Sequence, residues 1–579
     1  MHGAEPGRLR VGILCDGLVF QRWQAECIRQ VMAVEGVDIV VLVENAKAPA
    51  SSASTLQRVK RHPWRMSLYL AWRRRMFKPA AMEEVGMEAE LGHVTRVRCR
   101  VQQRGPSQFF APVDIDELRH YWPDVLLRFG FNILRGEIIS LPLHGVWSFH
   151  HGDEQKYRGG PPGFWEIMRG DPVTGAILQR LTEKLDGGIV LRKGWFNTVP
   201  HSLADSVNNV LMNTVHWPAQ VCGELLRGRV AVVQGPASST DAPIFKYPGN
   251  FTFLSFLRRQ MENKMRFHRN ELRRHEEWNI GVLHQPIASL LGENPSLNVR
   301  WLPAPGKGTY RADPFGYMAA DGQLNVLYEK FDYRTGTGAI YRLRPRRDSV
   351  LKRSRKMLVT DLHLSYPYVV LHDNVVHCVP ESSASGRVDL YRVSADNDSL
   401  EFVRTLLDEA LFDPTLFEHQ GRWWLFGTKA PLTNVALHAY YSDRFEGPYR
   451  PHALNPIKMD VRGSRPAGTP FLKDGDLYRP AQDSSTSYGY RIALNIVHLL
   501  TPDDFREELV KHIGPFKGPY GHGLHTLAAA GEVTLVDGKR YVHVRSQEYR
   551  VRQRKWSKVR HRDRSADVEE DDEEGSPEP

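Results

Sequence analysis

A histidine closing an apolar run, then a glycine–proline loop, then an acid, make residues 145–191 the richest stretch of chemistry in the chain. It reads GVWSFHHGDEQKYRGGPPGFWEIMRGDPVTGAILQRLTEKLDGGIVL. An imidazole titrating near neutral pH can take a proton from an attacking amine, which suits His150 to general-base work. Asp186, in the LDGG run, is placed to orient such a ring and favour its cation. Ser148 adds a hydroxyl donor two residues before the histidine. His150 and His151 are adjacent, which is not a usual metal-ligand spacing, so no metal is expected.

Alternating strands and helices must position these groups, and the first 230 residues carry that pattern. RLRVGILCDG is an apolar run ending at Gly17, followed by a helical stretch to about Val34 and a second buried run, VDIVVLVEN. Residues 46–96 are basic and irregular, with a helix expected around SLYLAWRRRMF. PDVLLRFG supplies a third strand ending at Gly130, and HGVWSFH another. The alternation predicts a mostly parallel sheet with helices on both faces. Ligands of such sheets sit beyond the carboxyl ends of the strands, where His150 falls.

These residues resemble the formyltransferase catalytic domain, the family of methionyl-tRNA, glycinamide ribonucleotide and sugar N-formyltransferases. The family's pattern is Asn-x-His at a strand end, a Ser-Leu-Leu-Pro loop, YRG, a helix, a TG strand and an LD-x-G acid. Here Ser148-Phe149-His150 takes the first slot, Tyr157-Arg158-Gly159 is YRG, and residues 161–170 read as the helix. Thr174-Gly175 is the TG, and Leu185-Asp186-Gly187-Gly188 the acid. The resemblance covers about residues 9–230 and is strongest over 123–192. It implies a Rossmann-like α/β fold, acyl transfer to an amine, and 10-formyltetrahydrofolate as donor. It implies His150, Asp186 and Ser148 as catalytic, with Phe129, Gly130, Asp153, Leu185 and Gly187 beside the cofactor. Tyr157 and Arg158 fall toward the substrate. Two departures stand out. Ser148 replaces the asparagine whose amide holds the formyl oxygen, with His151 as a substitute donor. His151-Gly152-Asp153-Glu154-Gln155 replaces the Ser-Leu-Leu-Pro loop, and its acids suggest a changed donor or a cationic acceptor.

Residues 231–275 read as a connector with a basic helix, and beyond them Trp, Tyr, Pro and Gly become frequent. Five segments share an apolar opening, a Gly, Asp or Asn turn and a second apolar run. They begin at ADPFGYM, SYPYVVL, FDPTLFE, AGTPFLK and LHTLAAA, and the prolines of the first four stand 47 to 56 residues apart. A repeat of that length predicts a five-bladed propeller, with WNIGVLH closing the ring through the last blade. This region resembles the five-bladed arabinanases, xylosidases and fructosidases. More closely it resembles the amino-terminal domain of plant glucosamine inositolphosphorylceramide transferase, through ADPF at Asp313, FDPTLF at Asp413 and RPAQD at Asp483. In the glycosidases, acids from successive blades flank the scissile bond. The resemblance implies Asp313 and Asp413 as two of them, while Glu329, Glu381 and Asp483 compete for the third. Trp423, Trp424 and Tyr478 are candidates to stack on sugar faces.

A chain of 579 residues exceeds one core, and 41% hydrophobic with 25% charged residues is the balance of a soluble globular protein. No run approaches the roughly 20 apolar residues of a membrane helix, and no apolar leader precedes the first strand. Five cysteines without CxxC spacing argue against a disulfide scaffold or a cysteine zinc site. A cytoplasmic location is therefore expected. The formal charge of +10 is spread over helix faces rather than gathered into a nucleic-acid module. The reading divides the chain into an α/β unit (1–230), a connector (231–275), a propeller (276–549) and a disordered charged tail (550–579). It expects a formyltransferase-like enzyme acting on an amino sugar or glycoconjugate, with the propeller recognising the glycan and neither membrane nor nucleic acid as partner. The alternative is a carbohydrate-binding or glycoside-hydrolase-like propeller beside a degenerate first domain.

Overall fold

The computed structural model describes residues 7–46, 64–184, 187–270, 273–293, 298–319, 321–345 and 354–543. The charged tail lies outside the described residues, as do Leu185 and Asp186. Strands β1 (Leu9–Cys15), β2 (Val37–Asn45), β3 (Arg96–Cys99), β4 (Val125–Arg128), β5 (Val146–His150), β6 (Val173–Arg180) and β7 (Ile189–Asn197) form one sheet. Their order is β7-β6-β5-β4-β1-β2-β3. β1 to β5 pair in parallel, and β6 and β7 add an antiparallel edge. The apolar runs of β1 and β4 alternate between two cores: Val11, Val125 and Leu127 face one, Leu14 and Leu126 the other. Burial on both faces is what strands covered by crossover helices require. A Cβ on Gly130 would meet the backbone of Cys15 at 2.8 Å, so the turn after β4 admits only glycine.

The helices relevant to the sites are α1 (Arg22–Met32), α2 (Ser67–Arg75), α3 (Leu203–Met212), α4 (Trp217–Leu226) and α5 (Asn250–Asn270). α2 is the expected insertion, and α5 is the basic helix of the connector.

Five antiparallel sheets of four or five strands follow, one for each repeat read in the sequence. The first propeller strand, β8 (Arg274–Leu283), instead belongs to the last sheet. Blades begin at β9 (Thr309–Met318), β10 (Ser365–His372), β11 (Phe412–His419) and β12 (Phe471–Lys473), and β13 (Leu527–Ala530) starts the fifth. β8 pairs along its length with β14 (Val533–His543), which ties the start of the ring to its end. The prolines mark a shared device. In β9, β10 and β11 the register breaks around Pro314, Pro367 and Pro414, and the residue before each proline takes positive φ: Asp313 52°, Tyr366 42° and Asp413 50°. A bulge of this kind re-aims a side chain, and a non-glycine residue held there costs about 1–3 kcal/mol that the surrounding contacts must offset.

The α/β unit and the propeller share a core. Phe196 of β7 and Trp217 of α4 cluster with Val435, Met459 and Val461 of the propeller. The Trp217 indole Nε1–H points at the Met459 sulfur, 3.1 Å away. β7 runs beside the propeller chain, with Val461 N donating to Trp195 O (3.0 Å) and Asn197 Nδ2 to Ser484 O (2.8 Å). Trp217→Ala removes a fully buried indole from this junction, so it should cost about 3–5 kcal/mol. Urea unfolding should show one lowered midpoint reported by probes in both units.

Candidate functional site

A cleft of about 990 Å³ opens beyond the carboxyl ends of β4 and β5. Arg128, the last residue of β4, lies in it beside Ser148 and His150 of β5. The Arg128 guanidinium donates from Nε (3.0 Å) and Nη2 (2.7 Å) to Ser148 Oγ, and from Nη1 to the carbonyls of Phe131 (3.1 Å) and Asn132 (2.8 Å). No carboxylate among the described residues pairs with it, and burial lowers its pKa to about 10. Even so it stays cationic at neutral pH. The result is a fixed positive charge at the floor of a cleft whose described walls also carry Arg135, Lys184 and Lys246 and no acid. His150 Nε2 lies 3.0 Å from the Tyr157 carbonyl. A carbonyl can only accept, so that nitrogen carries the proton and Nδ1 is left as the acceptor.

Several residues picked from sequence lie elsewhere, each for a physical reason. Ser148 is at the floor, but its oxygen accepts from Arg128 and the residue is almost wholly buried, so the donor facing the cleft is the arginine. His151 points the other way. Its ring stacks on Phe149 and meets Trp23 edge-on, and burial followed by the nearby His150 lowers its pKa to about 3, so it is neutral packing. Asp153 and Glu154 turn from the cleft to Lys193, at 3.3 and 2.8 Å. Burial alone would raise the Asp153 pKa, but the Lys193 charge together with hydrogen bonds from Gln155 N, Trp195 and Lys193 holds the carboxyl below its usual range. Phe129 packs edge-on against Phe20 and Trp23, while Phe131 and Asn132 line the cleft. Gly130 serves the close turn at Cys15. Tyr157 lends its backbone carbonyl to His150, and its hydroxyl faces Asp171 at 3.4 Å. Arg158 donates to the Ala242 carbonyl. Gly187 accepts from the Thr182 hydroxyl at 2.7 Å, and its neighbour Gly188 is on the cleft wall. Arg128 was legible only as a charge interrupting the apolar run VLLRFG.

A second cavity of about 340 Å³ occupies the propeller funnel and is lined by Asp313, Glu329, Glu381, Asp413 and Arg465, among others. Arg465 grips Asp413 with two bonds, Nε–Oδ2 2.6 Å and Nη2–Oδ1 3.0 Å, and Gln482 Nε2 adds a third at 2.7 Å. Asp413 N donates to Glu381 Oε2 at 3.2 Å. Asp313 accepts from Thr526 Oγ1 (2.8 Å) and Tyr366 N (3.2 Å), with His525 Nε2 3.8 Å away. Burial raises three of the acids: Asp313 to about 6, Glu381 to about 8 with help from Asp413, and Glu329 well above its usual value. Glu381 is thus a protonated carboxylic acid at neutral pH, beside an Asp413 held by a cation.

Asp483 does not reach the funnel. It is fully buried on the other side of its strand with Arg491 (2.7 Å), and its neighbour Gln482 points inward, as strand alternation demands. Trp423 packs on Phe445, Trp424 is buried and Tyr478 stacks on Phe471, so these are core aromatics. The aromatics that line the funnel are instead Trp278, stacked on His525 at 3.9 Å, with Tyr310, Phe331, Tyr333, Phe412 and Tyr488.

Fold and sites define a mostly parallel α/β unit joined to a five-bladed propeller. Residues 292–517 match the family model described as glucosamine inositolphosphorylceramide transferase 1, N-terminal. The chain is 30% identical over 246 residues to glucosamine inositolphosphorylceramide transferase 1 of Oryza sativa subsp. japonica, covering 40% of this chain and 33% of that protein. It is 34% identical over 151 residues to the Arabidopsis thaliana protein of the same name, covering 25% of this chain and 20% of that one. Methionyl-tRNA formyltransferase of Myxococcus xanthus (strain DK1622) is 32% identical over 123 residues, 21% of this chain and 37% of that enzyme. The chain thus matches between a fifth and somewhat over a third of the length of these relatives.

The raised Glu381 pKa has a consequence for stability. Between the ordinary carboxyl value near 4.5 and about 8, the folded protein holds a proton that the unfolded chain releases. The stability from Glu381 is therefore complete below about 4.5 and declines as pH rises to about 8. Glu381→Gln should flatten the fall in melting temperature across that window relative to wild type.

Proposed function

We propose that this chain transfers a formyl or related acyl group to an amine on an amino sugar or glycoconjugate, with the funnel holding the sugar. The observation that carries this reading is the convergence of Arg128, Ser148 and His150 on the floor of one cleft. The cleft fits 10-formyltetrahydrofolate in size and chemistry. Its volume is that of a small-molecule pocket, Phe131, Ile133, Leu134 and Leu181 offer apolar walls, and Arg135, Lys184 and Lys246 suit carboxylates. When bound, that cofactor supplies the formyl group.

His150 Nδ1 takes the proton that an attacking amine must lose, with the ring held by Tyr157. Arg128 does the work that the family gives to asparagine. After its bond to Ser148, Nη2 keeps one N–H for an oxygen that gains charge. Asp186 is proposed to favour the His150 cation. The relatives named for glucosamine support an amino-sugar acceptor, and the relative named as a formyltransferase supports the donor chemistry.

A second reading, glycoside cleavage in the funnel, is favoured by the protonated Glu381 beside the Arg465-bound Asp413, an arrangement suited to a general acid. Incubation with 10-formyltetrahydrofolate and a panel of amino sugars, followed by mass spectrometry, separates the two. Formylated product should form, and Arg128→Leu should lower kcat/KM by about 10²–10³. His150→Ala should abolish turnover; folate turnover that survives it defeats the transfer reading. Release of reducing sugar that is lost in Glu381→Gln but kept in His150→Ala would establish the second.

A further inference from the structure

α5 carries two apolar stripes. Phe253 and Phe256 face the core, packed on Tyr69, Trp72 and Phe164. Phe251, Leu254, Met261 and Met265 lie about 150° round the helix from them, at 100° per residue, and all four are exposed, Phe251 by 88%. Burial against this chain explains the first stripe and leaves the second unaccounted for. α2 extends the same surface. Asn250, at the start of α5, accepts from Leu68 N (3.1 Å) and donates to the Trp64 carbonyl (2.9 Å), which locks the two helices together. Leu68 and Met76 of this segment are exposed as well.

The charge on this plate has one sign. α2 contributes three arginines and α5 five Lys or Arg, against the lone carboxylate of Glu262, which is paired with Arg258. A second copy of the chain would bring cations against cations. An apolar stripe flanked by Lys and Arg is the pattern of a helix lying in the headgroup layer of an anionic bilayer. The cleft lies next to the plate: Met66 and Tyr247, which flank α2 and α5 in sequence, line it.

We propose that the α2–α5 plate docks on an anionic membrane surface. No helix among the described residues is long and apolar enough to cross a membrane; attachment by a surface-lying helix requires none. The proposal is independent of acyl transfer, because its test reads binding and not turnover.

The full chain is sedimented with vesicles of phosphatidylcholine alone and with about 30% phosphatidylserine, at low salt and at about 0.5 M salt. Wild type should co-sediment with the anionic vesicles and release at high salt. Phe251→Ser/Leu254→Ser should weaken binding several-fold. Arg266→Glu/Arg269→Glu should weaken it about fivefold or more per charge. All four substituted positions are solvent-facing, so melting temperatures should match wild type and exclude misfolding. Failure of wild type to bind, or equal binding by wild type and both variants, overturns the proposal. A dimer that disappears in Phe251→Ser/Leu254→Ser while vesicles stay unbound overturns it too, and assigns the plate to self-association.

Discussion

The edge strand β7 is the constraint on which both sites depend. Lys193 on that strand holds Asp153 and Glu154, its neighbour Trp195 stacks under Arg462 of the propeller, and Arg462 is clamped by Asp460. This chain of charge and ring runs without a gap from the loop after His150 into the propeller. Taking carboxylates out of water is costly unless a cation meets them, so the loop is committed to Lys193 and is not available to a ligand. The departure from the formyltransferase loop thus has a structural cause: that segment serves the junction.

With the junction rigid, two cavities of opposite character are carried by one body. The cleft of the α/β unit is cationic, and its floor charge is an arginine without a described acidic partner. The funnel is acidic, with one arginine to neutralise Asp413 and with burial keeping Glu381 protonated. A cationic cleft favours anionic ligands, whereas clustered carboxyl groups and a stacked tryptophan suit hydroxyl-rich ones. The strain at Asp313 and Asp413 belongs to this arrangement. Each stands before a proline in a bulge, which turns its carboxyl out of the blade and into the funnel.

Much of the architecture was legible because its signals are local. The buried runs, the helix after YRG and the proline repeat of the blades each depend on residues within one or two turns of chain, and each recurs in the structure. The ring closure through WNIGVLH was also legible, since a strand left over before the first blade must pair somewhere. Site residues fared less evenly. His150, Asp313, Glu381 and Asp413 line cavities, but Asp153, Tyr157, Arg158 and Asp483 do not. Motif context says where the backbone goes and leaves open which partner claims a side chain.

The sequence by itself determined the two fold types, the strand ends that carry the chemistry and the positions of the blade bulges, because burial period and turn chemistry act over short distances. Only the tertiary structure decided who faces whom. Arg128 reaches Ser148 across 20 residues, Lys193 takes Asp153 across 40, and Arg465 meets Asp413 across 52. Such pairings follow from strand order and from the desolvation cost of every buried charge, and neither is written in any short stretch of the chain.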